Sequence, residues 1–221
     1  MDLSRPSITV VTVSLNAAAD LPLTIESVLG QTYPQIEYLV VDGLSHDATY
    51  DVLARYVGRI DRIVPYEDGG IYAAMNFAAR AASGEYVLFL NAGDRFYGAD
   101  AVESMVERLR GDPDIFFGDH VYVEGRVEQH MPAADFGWLR GRLLHGRIDR
   151  DWHLRFPCHQ ATFTRSALLR ELGYDTRYAI CADHEFLLRA SDAGARMQYV
   201  DEIVAHYVAG GFSGAQGPLI H

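Results

Sequence analysis

Residues 66–94 read Y-E-D-G-G-I-Y-A-A-M-N-F-A-A-R-A-A-S-G-E-Y-V-L-F-L-N-A-G-D, and they decide the fold. An acidic glycine turn leads into an alanine-rich helix. The helix breaks at Ser83-Gly84, and an apolar strand, Tyr86–Leu90, then stops at Asn91-Ala92-Gly93-Asp94. Five consecutive apolar residues predict a strand buried on both faces, the condition of a parallel sheet covered by helices on each side. Ligands of such sheets lie just beyond the carboxyl ends of the strands. Asp94 falls there, on a short loop whose alanine and glycine leave room for a ligand and whose carboxylate can hold a hard cation.

The same alternation runs upstream. Ile8–Val13 is β-branched and apolar, and it turns through Ser14-Leu15-Asn16 into a helix starting at Asp20, the expected N-cap, with Pro22 in its first turn. Leu23, Ile25, Val28 and Leu29 are expected to form that helix's inward stripe. A second strand, Ile36–Val41, ends at Asp42-Gly43-Leu44-Ser45-His46-Asp47, where Asp47 can cap a helix Ala48–Tyr56, and a third strand spans Ile60–Pro65. Strand and helix thus alternate four times before Asp94, which predicts a mostly parallel central sheet flanked by helices. A dinucleotide-binding domain would share this alternation. However, the loop from Ser14 to Asp20 has no glycine, so the G-x-G-x-x-G cradle for a pyrophosphate is missing.

The chain of 221 residues, 49% of them hydrophobic and 22% charged, is long enough for one sizeable core. A formal charge of −11 argues against a nucleic-acid partner, because a surface that tracks phosphates needs a basic excess. The start lacks the basic and apolar blocks of a secretion signal, and no run approaches the roughly 20 apolar residues of a membrane span, so the expected protein is soluble and cytoplasmic. Two cysteines, Cys158 and Cys181, are expected to be reduced thiols.

After Asp94 the pattern predicts a helix Asp100–Leu109, a strand Ile115–Asp119 and a hairpin Val121–Gln129 turning at Glu124-Gly125. Regular alternation then ends. Phe136–Arg155 gathers Trp138, Leu139, Leu143, Leu144 and Trp152 among five arginines, an island suited to an amphipathic helix on the sheet, to a membrane surface or to an anionic acceptor. A helix Arg165–Leu172, an acidic helical start at Ala182-Asp183-His184-Glu185, and strands Met197–Val200 and Ile203–Tyr207 follow. Residues 209–221 read as a flexible tail.

The segments T-V-S-L-N near residue 12, Q-T-Y-P at 31–34, D-G-L-S-H-D at 42–47, E-D-G-G-I-Y-A-A-M-N at 67–76, G-E-Y-V-L-F-L-N-A-G-D at 84–94 and A-D-H-E-F-L-L-R at 182–189 resemble inverting GT-A-fold glycosyltransferases of the family 2 type. The likeness covers most of the chain and is densest up to Asp94. It implies a single α/β GT-A domain with a nucleotide-sugar half (1–98) and a more irregular acceptor and catalytic half (99–208). It also implies transfer of a single sugar from a nucleotide diphosphate sugar to a glycan or lipid-linked acceptor in cell-surface polysaccharide or glycolipid assembly. The Q-x-x-R-W segment of processive members is absent, so one sugar per encounter is expected.

By the same resemblance, Thr12, Ser14, Asn16, Asp42 and Asp68 would grip the nucleoside and donor, with Asp42 dispensable for the fold. Asp94 would anchor Mn²⁺ or Mg²⁺ beside the diphosphate. Asn91 stands where an aspartate is usual and brings an amide oxygen without charge, which weakens the cation's hold. His206 is a candidate further metal ligand, with a structural histidine as the other reading. His159 and Gln160 match an H-Q pair beside the donor, and Asp183 matches the catalytic base, although Ala182 replaces the acid that usually precedes it. Two other readings remain open at this level: a degenerate module that binds a nucleotide sugar without turnover, suggested by Asn91 and Ala182, and a nucleotidyltransferase on a similar sheet. A zinc site of Cys158, His159, Cys181 and His184 is disfavoured by the spacing.

Overall fold

The computed structural model describes residues 5–67, 69–147 and 155–210. At its centre lies the apolar run. Strand β4 (Tyr86–Phe89) has all four residues buried, with Leu90 buried just after it. It pairs in parallel with β1 (Ile8–Ser14) on one side and antiparallel with β8 (Thr162–Arg165) on the other, which satisfies its backbone groups without water. β1 pairs in parallel with β2 (Ile36–Asp42), and β2 with β3 (Arg62–Pro65). The sheet continues beyond β8 through β6 (Ile115–Glu124), β9 (Met197–Val208) and the short β5 (Arg95–Phe96), in the order β3-β2-β1-β4-β8-β6-β9-β5, with β7 (Val127–Met131) paired to the far half of β6.

Alternate strand residues enter two cores. Val10, Val40 and Leu88 pack with Leu21, Ile25 and Val28 of α1 (Leu21–Leu29), Leu53 of α2 (Thr49–Ala54) and Met105 of α4 (Ala101–Glu107). On the opposite face Val11, Leu39 and Phe89 meet Met75 of α3 (Ile71–Ala81), Leu139 of α5 (Phe136–Leu144), Leu169 of α6 (Ser166–Leu172) and Phe186 of α7 (Ala182–Asp192). The strands are therefore covered on both faces, as their unbroken apolar runs demand. Register sets the level of the strand ends: Ser14 stands opposite Asp42, and Asp42 opposite Pro65. The Leu90 N–H reaches the Val11 carbonyl, so β4 ends at the same edge and delivers Asn91–Asp94 there.

Several expectations shift. Leu23 is 52% exposed; the inward stripe of α1 is Leu21, Thr24, Ile25 and Val28, whose i, i+3, i+4, i+7 spacing follows one helical face. Asp20 makes no side-chain cap bond. Asp47 instead accepts from the Thr49 N–H at 3.0 Å and the Ala18 N–H at 3.1 Å, tying the start of α2 to the loop after β1. β3 begins at Arg62, Ile60 having only an isolated bridge to Val57. Ile115–Asp119 and the first hairpin arm are one strand, β6, and the two expected tail strands are one strand, β9. The interruption that suggested two pieces is a register shift against β6 around Asp119. It is enforced at Gly118, where a Cβ would lie 2.5 Å from the Glu202 carbonyl oxygen. β5 and β8, of two and four residues, depend on their neighbours more than on any pattern of their own.

Gly84, the break ahead of β4, is a contact rather than a hinge. A Cβ there would fall 2.6 Å from the Thr9 amide nitrogen and 2.7 Å from its hydroxyl, both fixed by the sheet. Gly84→Ala is expected to cost about 2–3 kcal/mol in urea unfolding, the scale of forced overpacking. Gly141→Ala, in α5 with nothing within 4 Å, is the control. It should be neutral or stabilising by up to about 1 kcal/mol. Equal effects of the two changes would refute the steric account.

Candidate active site

Loops after β1 and β2 are stitched together by Asp42. This carboxylate is fully buried; one oxygen accepts the hydroxyls of Ser14 (2.8 Å) and Ser45 (2.7 Å), and the other accepts the Ser45 N–H (2.8 Å). Asn16, in the left-handed region at φ 51°, donates its N–H to the Ser45 hydroxyl and accepts the His46 N–H through Oδ1. Asp42 is therefore not dispensable for the fold. Asp42→Ala would leave three buried donors without an acceptor, and a loss of about 2–3 kcal/mol in chemical denaturation is expected. Thr12 faces away from this edge: its buried hydroxyl pairs with the Tyr38 hydroxyl at 3.0 Å. Asp68 lies outside the described residues.

The loop after β4 is shaped by Thr24, a polar residue on the inward stripe of α1. Its hydroxyl donates to the Asp94 carbonyl (2.7 Å) and accepts the Gly93 N–H (2.9 Å), while Gly93 takes φ 101°, a conformation suited to glycine. The turn swings the Asp94 side chain inward until the residue is 4% exposed. Gln160 donates to one carboxylate oxygen (2.8 Å), and the Val208 N–H, at the end of β9, to the other (2.9 Å). Burial outweighs these two bonds and raises the Asp94 pKa to about 6.

Beside it runs a hydrogen-bonded chain. Asn91 Nδ2 lies 3.0 Å from His159 Nε2, and His159 Nδ1 lies 3.2 Å from one oxygen of Asp183. The Tyr72 hydroxyl donates to the other oxygen at 3.1 Å. An ionised carboxylate only accepts, so His159 carries its proton on Nδ1 and receives the Asn91 amide at Nε2. That orientation leaves Asn91 Oδ1 buried and without a partner. Asp183 sits in the first turn of α7, behind Cys181 at φ 65°, with its side chain 16% exposed. Burial pushes its pKa up, but the His159 bond, the nearby His184 and the Tyr72 hydroxyl together hold it well below the usual carboxylate range. Ala182, where an acid is usual in the family, is fully buried in the core.

His206 stands opposite Arg95 on β5, its ring 5.1 Å from that of Tyr97; burial lowers its pKa, and its Nδ1 is buried without a hydrogen-bond partner. β9 meets Asp94 through the Val208 N–H. Among the described residues no group of three or more His, Cys, Asp or Glu is gathered as for a metal. The oxygen set present, the Asp94 carboxylate and the unpartnered Asn91 Oδ1, fits a hard cation that arrives with an anionic ligand and takes most of its shell from that ligand and water.

Tyr72, Thr24, Ser45 and the Val208 amide escaped the sequence reading. Ser45 follows Asp42 by three residues, and Tyr72 follows the glycine turn by two; both spacings were legible. The Val208 amide carries no side-chain signal at all.

A parallel half-sheet with a buried acidic loop at the carboxyl end of its central strand, and a carboxylate presented beside it from a helix start, defines a glycosyltransferase of the GT-A class. The chain belongs to glycosyl transferase family 2, whose model matches residues 9–173. It is 31% identical over 212 residues to the PGL/p-HBAD biosynthesis glycosyltransferase of Mycobacterium bovis, covering 93% of this chain and 78% of that one. It is similar in fold to Staphylococcus aureus TarS 1–349 solved in complex with UDP-GlcNAc, with a TM-score of 0.72, 20% identity, and coverage of 97% of this chain and 62% of that one. The mannosyltransferase PcManGT of Pyrobaculum calidifontis, solved with GDP-Man and Mn²⁺, gives a TM-score of 0.68 at 20% identity, over 97% of this chain and 60% of that one. The chain thus spans about three fifths of each of these solved chains. Among the described residues no helix is long and apolar enough to cross a membrane.

Proposed function

We propose that this glycosyltransferase moves one hexose-like residue from a nucleotide diphosphate sugar to a hydroxyl of a glycan or lipid-linked acceptor, with inversion. The observation that carries the reading is the pairing, at one edge of the sheet, of a buried acidic loop (Asn91–Asp94) with an ionised, oriented carboxylate (Asp183). Asp183 takes the acceptor's hydroxyl proton as that oxygen bonds to the anomeric carbon. The bond from this carbon to the diphosphate breaks on the opposite face, and the nucleoside diphosphate leaves with the electron pair. His159 and Gln160 serve through the carboxylates they hold. The loop of Ser14, Asn16 and Asp42 borders the nucleoside, and Asp68 follows on from the resemblance. Asp94 and Asn91 Oδ1 would hold Mn²⁺ or Mg²⁺ with the diphosphate, and the cation when bound offsets charge on the leaving group.

The relative named for PGL/p-HBAD biosynthesis supports a role in cell-surface glycolipid or polysaccharide assembly. Residues 1–98 then serve the donor and 99–208 the acceptor. On α5, Trp138 is 46% exposed, with the guanidinium groups of Arg142 and Arg155 at 5.1 and 5.9 Å from its ring centroid. This face suits an anionic acceptor or a peripheral membrane contact.

The test is a thermal-shift panel of UDP- and GDP-sugars with and without Mn²⁺, followed by assay for free nucleoside diphosphate. A donor at about 100 Kd adds roughly 2.7 kcal/mol of stability. Absence of a shift with every sugar nucleotide would remove the donor reading. Binding without release of nucleoside diphosphate would make the protein a binding module, and pyrophosphate release from a nucleoside triphosphate would make it a nucleotidyltransferase.

A further inference from the structure

We infer that Tyr72 is a positioning residue that aims the Asp183 carboxylate, together with His159, and so ties it to the glycine turn at the start of α3. The inference rests on the reading of Asp183 as the base.

A lone aspartate carboxylate rotates freely about its last bond. Here its two oxygens are held separately, by Tyr72 at 3.1 Å and His159 at 3.2 Å, from elements that enter from different parts of the chain. Rotation would break both bonds, so the lone pairs left for an acceptor keep one direction. Tyr72 itself has little freedom. It is buried, its ring lies 5.5 Å from that of Tyr174, and Tyr174 packs in turn on Phe89 of β4 (5.8 Å) and Phe186 of α7 (5.2 Å). The hydroxyl's place is thus set by a cluster of tilted and edge-on rings joining α3, β4 and α7, not by the hydrogen bond alone. Burial and then the negative charge of Asp183 push the Tyr72 pKa well up, so the hydroxyl stays a donor at every working pH.

Packing would be served equally by phenylalanine. A hydroxyl placed in this aromatic cluster has Asp183 as its partner, which is the mark of a group kept for orientation. Tyr72 is the second residue of α3, two after Gly70, and Gly69 and Gly70 both have positive φ (76° and 87°), so a change in that turn would be passed to the base through one rigid ring.

The test is a double-mutant cycle of Tyr72→Phe and Asp183→Asn, read by single-turnover hydrolysis of UDP-GlcNAc and of GDP-mannose with Mn²⁺, water standing in for the acceptor. Melting temperatures establish that each variant is folded. Tyr72→Phe is expected to lower the rate about five- to twenty-fold with the donor KM unchanged within two-fold, and to cause no further loss in the Asp183→Asn background. An equal loss in both backgrounds would show that Tyr72 acts independently of Asp183 and would overturn the inference, as would an unchanged rate in Tyr72→Phe alone. An Asp183→Asn enzyme at full rate would remove the base reading and this inference with it. Loss in Asp183→Asn beside an unaltered Tyr72→Phe would sink only the positioning role.

Discussion

Replacing Asp183 by asparagine should lower single-turnover transfer at saturating donor by about 10²–10⁴-fold, or roughly 3–5 kcal/mol of barrier, while donor affinity stays within a few-fold of wild type. The substitution keeps size and shape but removes the acceptor of the proton. Asparagine still offers one oxygen to His159 or Tyr72, so part of the local network survives and the fold should hold. The pH behaviour separates this role from a structural one. Because the folded pKa of Asp183 is depressed, its ionised form contributes stability that is present above the ordinary carboxylate range and is lost as pH falls through the folded value. Loss of the Asp183 charge should therefore not limit the wild-type rate above the onset of acid unfolding, while Asp183→Asn is slow at every pH. If the rate per folded molecule were nearly normal, with only the melting temperature reduced, the carboxylate would be a helix-start acid and no more.

Asp94→Asn should abolish the gain in donor affinity that Mn²⁺ confers, and its effect on stability should have the opposite sign. Burial raises the folded pKa of Asp94 to about 6 from the ordinary 3.8. The folded state thus holds a proton that the unfolded chain releases earlier, so the group's contribution is full below about pH 4 and is lost as pH rises through about 6. Two pH units correspond to roughly 3 kcal/mol. In urea unfolding without metal, the wild-type protein should lose up to about that much between pH 4 and pH 7, and Asp94→Asn should lack this loss. Asn91→Ala, which removes the unpartnered Oδ1 but no charge, should reduce the Mn²⁺ gain only in part. Retention of the full Mn²⁺ effect by Asp94→Asn would refute the anchor, and an unchanged pH profile would refute the buried ionisation.

From the amino-acid sequence alone one could read the parallel half of the sheet, its helices, the loop at Asp94 and the acid at Asp183. These are local patterns: an apolar run with no polar break declares burial on both faces, and a glycine-flanked acid after it declares a loop at a strand's carboxyl end. Tertiary structure decided the rest. The half after Asp94 is built from short strands and a shifted register, and β5 and β8 exist because neighbouring strands supply their partners. Asp42 reads as a ligand in the sequence and is a fully bonded organiser in the structure, because Ser14 at the end of β1 and Ser45 in the loop after β2 both donate to it. β9 meets Asp94 through the Val208 amide, a contact that no side chain announces. Tyr72 and Asp183 are 111 residues apart, and their bond has no signature in either segment. Side-chain identity follows from the sequence, but which oxygen meets which donor depends on distances between elements that only the packed cores determine.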